Sequence, residues 1–215
     1  MRHGVPRRST ALRSGPVSTR DRILRAGVQQ FQANGYHGTG VAAIISEARA
    51  PKGCFYHHFP AGKEQLAVAA VEWLASEVEA FLERLDRAGA DGAAMTAGLA
   101  AYAAKGLARP ERMRGSLITV LAAEAVPASP IIQRALKIAV DRWAAKLSTG
   151  FARTGAAAPD RCARAALALV EGATIMGRIS GDATNVVDIV ASSISHSPFE
   201  TTLIRSKRKG SARIR

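Results

Sequence analysis

Acidic residues are scarce in this chain: 17 Asp and Glu stand against 30 Lys and Arg, giving a formal net charge of +13. Cysteine is scarcer still. Cys54 and Cys162 fall in different predicted helices, with no CxxC and no Cys/His ligand spacing. That excludes a disulfide framework, predicts no metal site and fits a reducing compartment. No apolar run reaches the roughly 18 to 20 residues that a membrane-spanning helix needs. The basic start, Met1-Arg2-His3-Gly4-Val5-Pro6-Arg7-Arg8, is not followed by the apolar segment of a secretion signal. A soluble, cytoplasmic protein without a membrane partner is therefore expected. Catalytic signatures are missing as well. There is no Gly-rich phosphate loop and no G-x-S-x-G, and none of His3, His37, His57, His58 and His196 pairs with a nucleophile at a recognisable spacing. The expectation is a protein that is not an enzyme and needs no cofactor. No segment is rich in strand-like alternation, so the fold class expected is all-α.

The basic charge is unevenly spread. Residues 1–20 carry Arg2, Arg7, Arg8, Arg13 and Arg20 without an acid, for +5. Residues 199–215 carry Arg205, Lys207, Arg208, Lys209, Arg213 and Arg215 against Glu200, again +5, which leaves +3 of the +13 for everything between. Such runs are commonly only solvated; beside a DNA-binding motif they also raise non-specific DNA affinity through counterion release. Residues 1–17 hold Gly4, Pro6, Gly15 and Pro16 without periodicity and are expected to be a disordered arm. Ser197-Pro198 is expected to begin a disordered basic tail, residues 197–215.

The most informative stretch is residues 39–59. Val41, Ile44, Ile45 and Ala48 follow the i, i+3, i+4, i+7 spacing of one helical stripe. Pro51 suits the first turn of a second short helix, expected over 52–58, because its missing N–H would be unpaired there anyway. Phe55 and Phe59, four apart, turn inward, leaving Lys52, Gly53, Tyr56 and His57 as a donor-rich outer face with little apolar bulk. Two short helices joined by a tight turn form a helix-turn-helix, and that outer face suits a groove with phosphate walls.

The run Ala50-Pro51-Lys52-Gly53-Cys54-Phe55-Tyr56-His57-His58-Phe59, followed by Lys63-Glu64-Gln65-Leu66, resembles the DNA-binding module of TetR-type transcriptional regulators. The resemblance reaches back through Thr19-Arg20-Asp21-Arg22-Ile23-Leu24, Phe31 and Asn34-Gly35-Tyr36, covering about residues 18 to 70. The Tyr56–Ala67 run and Leu121-Ala122-Ala123-Glu124-Ala125 are similar to a branch that includes repressors of drug-efflux and flavonoid-responsive genes. The resemblance implies a homodimeric repressor on a palindromic DNA operator, with Thr39, Gly40, Pro51, Lys52, Gly53, Cys54, Tyr56, His57, His58 and Lys63 at the DNA. His58 is divided between phosphate contact and packing. Cys54 reads more simply as a small side chain than as a redox switch. One departure stands out: family members often carry polar residues at the start of the second helix and an Arg-Asp pair within it, where this chain has Gly40, Ala42 and Ala43.

The chain divides accordingly into the arm (1–17), a three-helix DNA-binding domain (18–62), a helical ligand-binding and dimerisation domain (63–196) and the tail (197–215). Ser18 and Asp21 form a capping box that starts the first helix, and Gly35 gives it a left-handed stop. Lys63 to about Leu85 reads as one long connecting helix. Further helices are expected over about 93–105, 111–125, 130–151, 160–178 and 185–195. Trp73, Phe81, Met95, Tyr102, Leu117, Trp143 and Met176 are the bulky residues of an Ala-rich region and are candidates to line an apolar effector pocket, although helical spacing alone makes each equally a core residue. Ala165, Leu169, Gly172, Ala173, Val187, Val190 and Ile194 form small faces on the last two helices, suited to close approach by a second pair and hence to a homodimer. Glu124, Asp141 and Glu171 are acids within the apolar helices, each either orienting a polar ligand or satisfied locally. The function expected is a DNA-binding repressor released by a small apolar or aromatic molecule. A DNA-binding architectural protein of the same fold and an activator remain alternatives.

Overall fold

The computed structural model describes residues 18–108 and 115–195. The basic arm, the basic tail and the expected start of a helix near residue 111 lie outside the described residues. Within them the chain is all-α, with nine helices and no strand.

Helix α1 (Thr19–Asn34) starts where the hydroxyl of Ser18 accepts the Asp21 N–H at 3.1 Å. Ile23, Leu24, Val28 and Phe31 form its buried face. It ends at Gly35, with φ +81° and ψ 170°. This is not the left-handed stop expected from sequence but the mirror-extended region, which is open essentially to glycine alone. A side chain is excluded there a second time, because a Cβ would lie 2.4 Å from Oε1 of Glu124.

Helices α2 (Val41–Glu47) and α3 (Cys54–His58) pack on α1 through Ile44, Ala48, Phe55 and Phe59, all buried. Helix α3 is shorter than expected. The Cys54 N–H reaches back only three residues, to Pro51 O at 3.0 Å, so helical geometry begins at Cys54 with Gly53 as its cap. Pro51 and Lys52 sit in the turn that leads into α3 rather than in its first turn.

Helix α4 (Gly62–Arg87), 26 residues and so about 39 Å long, packs on α1 and continues into the later helices. It lies along α7 (Pro130–Arg153), which is capped by Ser129. Ion pairs cross this seam: Glu79 with Arg142, Glu83 with Lys146 at 2.9 Å and Asp86 with Arg153 at 2.5 Å. The bonds from Arg153 and Thr149 hold the Asp86 carboxyl below the usual carboxylate range. Because the pairs are only partly buried and remain open to solvent, each adds little, on the order of 1 kcal/mol.

Helices α5 (Gly92–Leu107), α8 (Pro159–Ser180) and α9 (Thr184–Ser195) complete the bundle. Glycine permits its tight crossings: a Cβ on Gly150 would sit 2.6 Å from the Met95 sulfur. Helix α6 (Leu117–Glu124), begun by the Ser116 cap, is the short element between α1 and the bundle.

Candidate nucleic-acid interface and adjoining cavity

The turn between α2 and α3 is built by two backbone bonds that close helix α2. Arg49 N–H reaches Ser46 O at 3.1 Å and Ala50 N–H reaches Ile45 O at 3.2 Å, the paired bonds of a Schellman motif. The residue in its left-handed slot is Arg49, with φ +48°, the one non-glycine residue at positive φ among those described. Arg22 reinforces it, donating Nη1–H to Arg49 O at 3.1 Å and Nη2–H to Thr19 Oγ1 at 3.2 Å. In the sequence, Arg49 carries no signal beyond its place just after the last apolar position of α2.

Beyond the turn, Pro51, Lys52, Gly53, Tyr56 and His57 are exposed, Tyr56 by 60 %, while Cys54 and His58 are half-buried. Phe55 and Phe59 lie beneath with no exposure, the Tyr56 ring standing edge-on to Phe55 at 5.2 Å. Lys52 makes no ion pair among the described residues. Arg20, not singled out from sequence as a site residue, rests its guanidinium 5.3 Å from the Phe59 ring centre and adds a cation beside α3. Helix α2 shows Ala42, Ala43, Ser46 and Glu47 to solvent and so carries no cation outward.

Two residues of the candidate DNA set do other work. Thr39 is buried, with its hydroxyl 2.6 Å from Gly35 O and 3.0 Å from Gln30 O, so its side chain seals the loop to α1 instead of facing outward. Lys63 donates to Tyr36 O at 2.8 Å and to Thr39 O at 3.1 Å, and its ammonium lies 4.4 Å from the Tyr36 ring centre. It fastens α4 to the loop before α2. Burial, then the negative charge of Glu64, raises the Tyr36 phenol above its ordinary value. Gly40, the cap of α2, is exposed.

The same loop is gripped from the other side. Glu124, at the end of α6, accepts the His37 N–H at 2.9 Å, and the His37 ring Nε2 lies 2.9 Å from the Glu124 carbonyl oxygen. At the opposite end of α6, Gly115 N–H reaches Gln32 O of α1 at 3.1 Å.

Of the residues proposed for an effector pocket, Tyr102, Leu117 and Trp143 line one small cavity of about 110 Å³. Trp73 and Phe81, again with Tyr102, line an adjoining open groove of about 840 Å³. Gln32, Leu74, Tyr102 and Gly106 border both spaces. Met95 borders neither, being buried against Gly150, and Met176 points out to solvent, 52 % exposed. On the proposed subunit face, Ala165, Gly172 and Val187 are exposed and Leu169 and Ile194 half-buried, whereas Ala173 and Val190 turn inward to the core. The outward stripe of α8 continues instead through Ile175, Met176 and Ile179, which is 73 % exposed.

Among the described residues no three His, Cys, Asp or Glu side chains gather as a metal-holding group, and no helix is long and apolar enough to cross a membrane.

The family model for bacterial regulatory proteins of the tetR family matches residues 23–70, and that for the C-terminal domain of LmrA/YxaF-like transcriptional regulators matches residues 92–192. The chain is 30% identical over 174 residues to the HTH-type transcriptional regulator LmrA of Bacillus subtilis, covering 80% of this chain and 92% of that protein. In fold it is similar to a TetR transcriptional regulator from Legionella pneumophila, with a TM-score of 0.75 at 20% identity over 84% of this chain and 97% of the other. The regulatory protein TetR from Rhodobacter sphaeroides gives 0.73 at 24% identity over 83% and 98%.

Proposed function

The chain belongs to the TetR family of DNA-binding transcriptional regulators, and on that premise we propose that it is a homodimeric repressor of a palindromic operator, released by a small apolar or aromatic molecule. The observation that carries the DNA reading is the exposed Lys52, Gly53, Tyr56 and His57 surface held on a buried Phe55–Phe59 base. Helix α3 is only five residues long and reaches few base edges, so specificity needs two copies on successive major-groove faces, roughly 34–36 Å or a multiple apart.

Release by a ligand has a physical route. Helix α6 lines the cavity with its first turn, Leu117 and Ile118, and holds the loop before α2 with its last residue, Glu124. A ligand that fits one placement of α6 better than the other shifts the population of the module it holds. DNA then weakens ligand binding by the same factor.

The test is binding to the DNA flanking the protein's own gene and to unrelated DNA of equal length, at several salt concentrations. A preference of about a thousandfold or more is expected, with a complex sized for a dimer. Lys52→Ala should weaken binding to both DNAs and lower the salt slope by about one. Equal affinity for the two DNAs, together with flat binding genome-wide, would sink the repressor reading in favour of an architectural one.

A further inference from the structure

The chemistry of the effector can be narrowed from the cavity itself. Its wall is apolar over most of its area, with Leu74, Val78, Leu99, Leu117, Trp143 and Val170 among the lining side chains. At about 110 Å³ it is somewhat smaller than the ~150 Å³ apolar cavities that accept benzene, and so has room for about one ring.

One carboxylate breaks the apolar wall. Glu171 of α8 lines the cavity, and its Oε2 accepts the hydroxyl of Thr119 of α6 at 2.7 Å. Its Oε1 has no protein partner among the described residues, and Glu171 forms no ion pair there. Two of the donors that line the cavity are engaged elsewhere: the Trp143 indole N–H goes to Ala75 O at 3.1 Å and the Thr174 hydroxyl to Val170 O at 2.7 Å. Arg178, two turns further along α8, is exposed and lies against Gly115. Glu171 is half-exposed, so in the free protein its second oxygen is open to solvent water. A ligand that fills the cavity displaces that water. A ring with no donor leaves the oxygen unpaired, and an anion adds repulsion; a cation supplies both a donor and the opposite charge.

We propose that the effector is, or carries, a single aromatic ring with a protonated amine, the ring against Trp143 and Leu117 and the ammonium on Glu171. This rests on the effector-released reading given above. The orientation follows from the outer groove, where Arg25, Arg84 and Lys105 outnumber Glu77: the cationic end goes inward, and any bulkier substituent passes Tyr102 and Gln32 into the groove. An ammonium on Glu171 also competes with Thr119, the bond that ties α8 to the helix gripping the DNA module.

The experiment is calorimetric titration of the full chain with benzylamine, toluene and benzoate. Benzylamine should bind, toluene about tenfold or more weaker, and benzoate not at all. Glu171→Gln should remove about tenfold or more from benzylamine affinity while leaving toluene within about twofold. Thr119→Val keeps the carboxylate and frees its second oxygen, so it should bind benzylamine at least as well as the parent; it serves as the check should Glu171→Gln fail to fold. Equal affinity for toluene and benzylamine, tighter binding of benzoate, weaker benzylamine binding by Thr119→Val, or no binding by any of the three overturns the proposal. Operator binding by the ligand-free protein is measured separately. Its loss would sink the regulator reading and leave the cavity chemistry standing, while failure of the amine series with operator binding intact would sink the cavity chemistry alone.

Discussion

Arg49 and Gly35 both sit at positive φ, and they predict opposite outcomes for small substitutions. A left-handed conformation costs a side-chain-bearing residue about 1–2 kcal/mol, and Arg49 bears that cost within the Schellman turn. Arg49→Gly relieves it, offset in part by the greater unfolded-chain freedom of glycine, about 0.5–1 kcal/mol. A net gain of about 0.5–1 kcal/mol is expected, read as a rise of about 1–4 °C in the melting temperature. Gly35→Ala should do the reverse, by about 2 kcal/mol or more, since strain in a glycine-only region is joined by collision with the Glu124 carboxylate. Thermal melts of the two variants, side by side, decide the matter. Gly35 was legible from sequence as a helix stop, though not its backbone region. Arg49 was not, because nothing in an arginine signals left-handed backbone; only the tertiary bonds around it do.

At the scale of elements, the long helices α1, α4, α7 and α8 could be read from their apolar periodicity, and the Ser18 cap from its spacing. Helix α6 was less readable. Its role comes from what each end touches, Gln32 at one and the His37 loop at the other, and contacts as much as 87 residues apart in sequence leave no periodic mark. The roles of Thr39 and Lys63 were hidden in the same way: a hydroxyl and an ammonium beside a helix proposed to meet DNA read as phosphate ligands until carbonyls are found within 3.1 Å of each. Removing the grip of α6 should be felt locally. Glu124→Ala deletes the acceptor of the His37 N–H, a bond to a charged group worth about 1 kcal/mol at this partly exposed place. Hydrogen exchange at residues 35–40 should then quicken several-fold, while amides in the middle of α4 keep their protection. Unchanged exchange in the loop would show that the carboxylate does not hold it.

The whole molecule poses a question that one chain's sequence answers only in part, namely which small residues meet a partner. Periodicity placed Ala165, Leu169, Gly172, Ala173, Val187, Val190 and Ile194 together, but a helix packed in a bundle has two apolar faces, and sequence does not say which is covered from within. Burial separates them. Ala173 and Val190 are inside, and the outward stripe runs on through Ile175, Met176 and Ile179. Apolar side chains exposed in sequence on one helix face mark an interaction surface, and a twofold pairing places the same face on both subunits. Ile179→Arg, on the outer stripe, should therefore leave the helical content intact and shift the protein from dimer to monomer in light scattering at micromolar concentration. Operator affinity should fall with it, because one five-residue α3 is left to read a single half-site. Val190→Arg, by contrast, buries a charge in the core and should lower stability by several kcal/mol, losing fold and dimer together. If Ile179→Arg remained fully dimeric with undiminished operator binding, the two DNA modules would have to be joined through another face, and the half-site spacing expected of the operator would have to be derived again from that face.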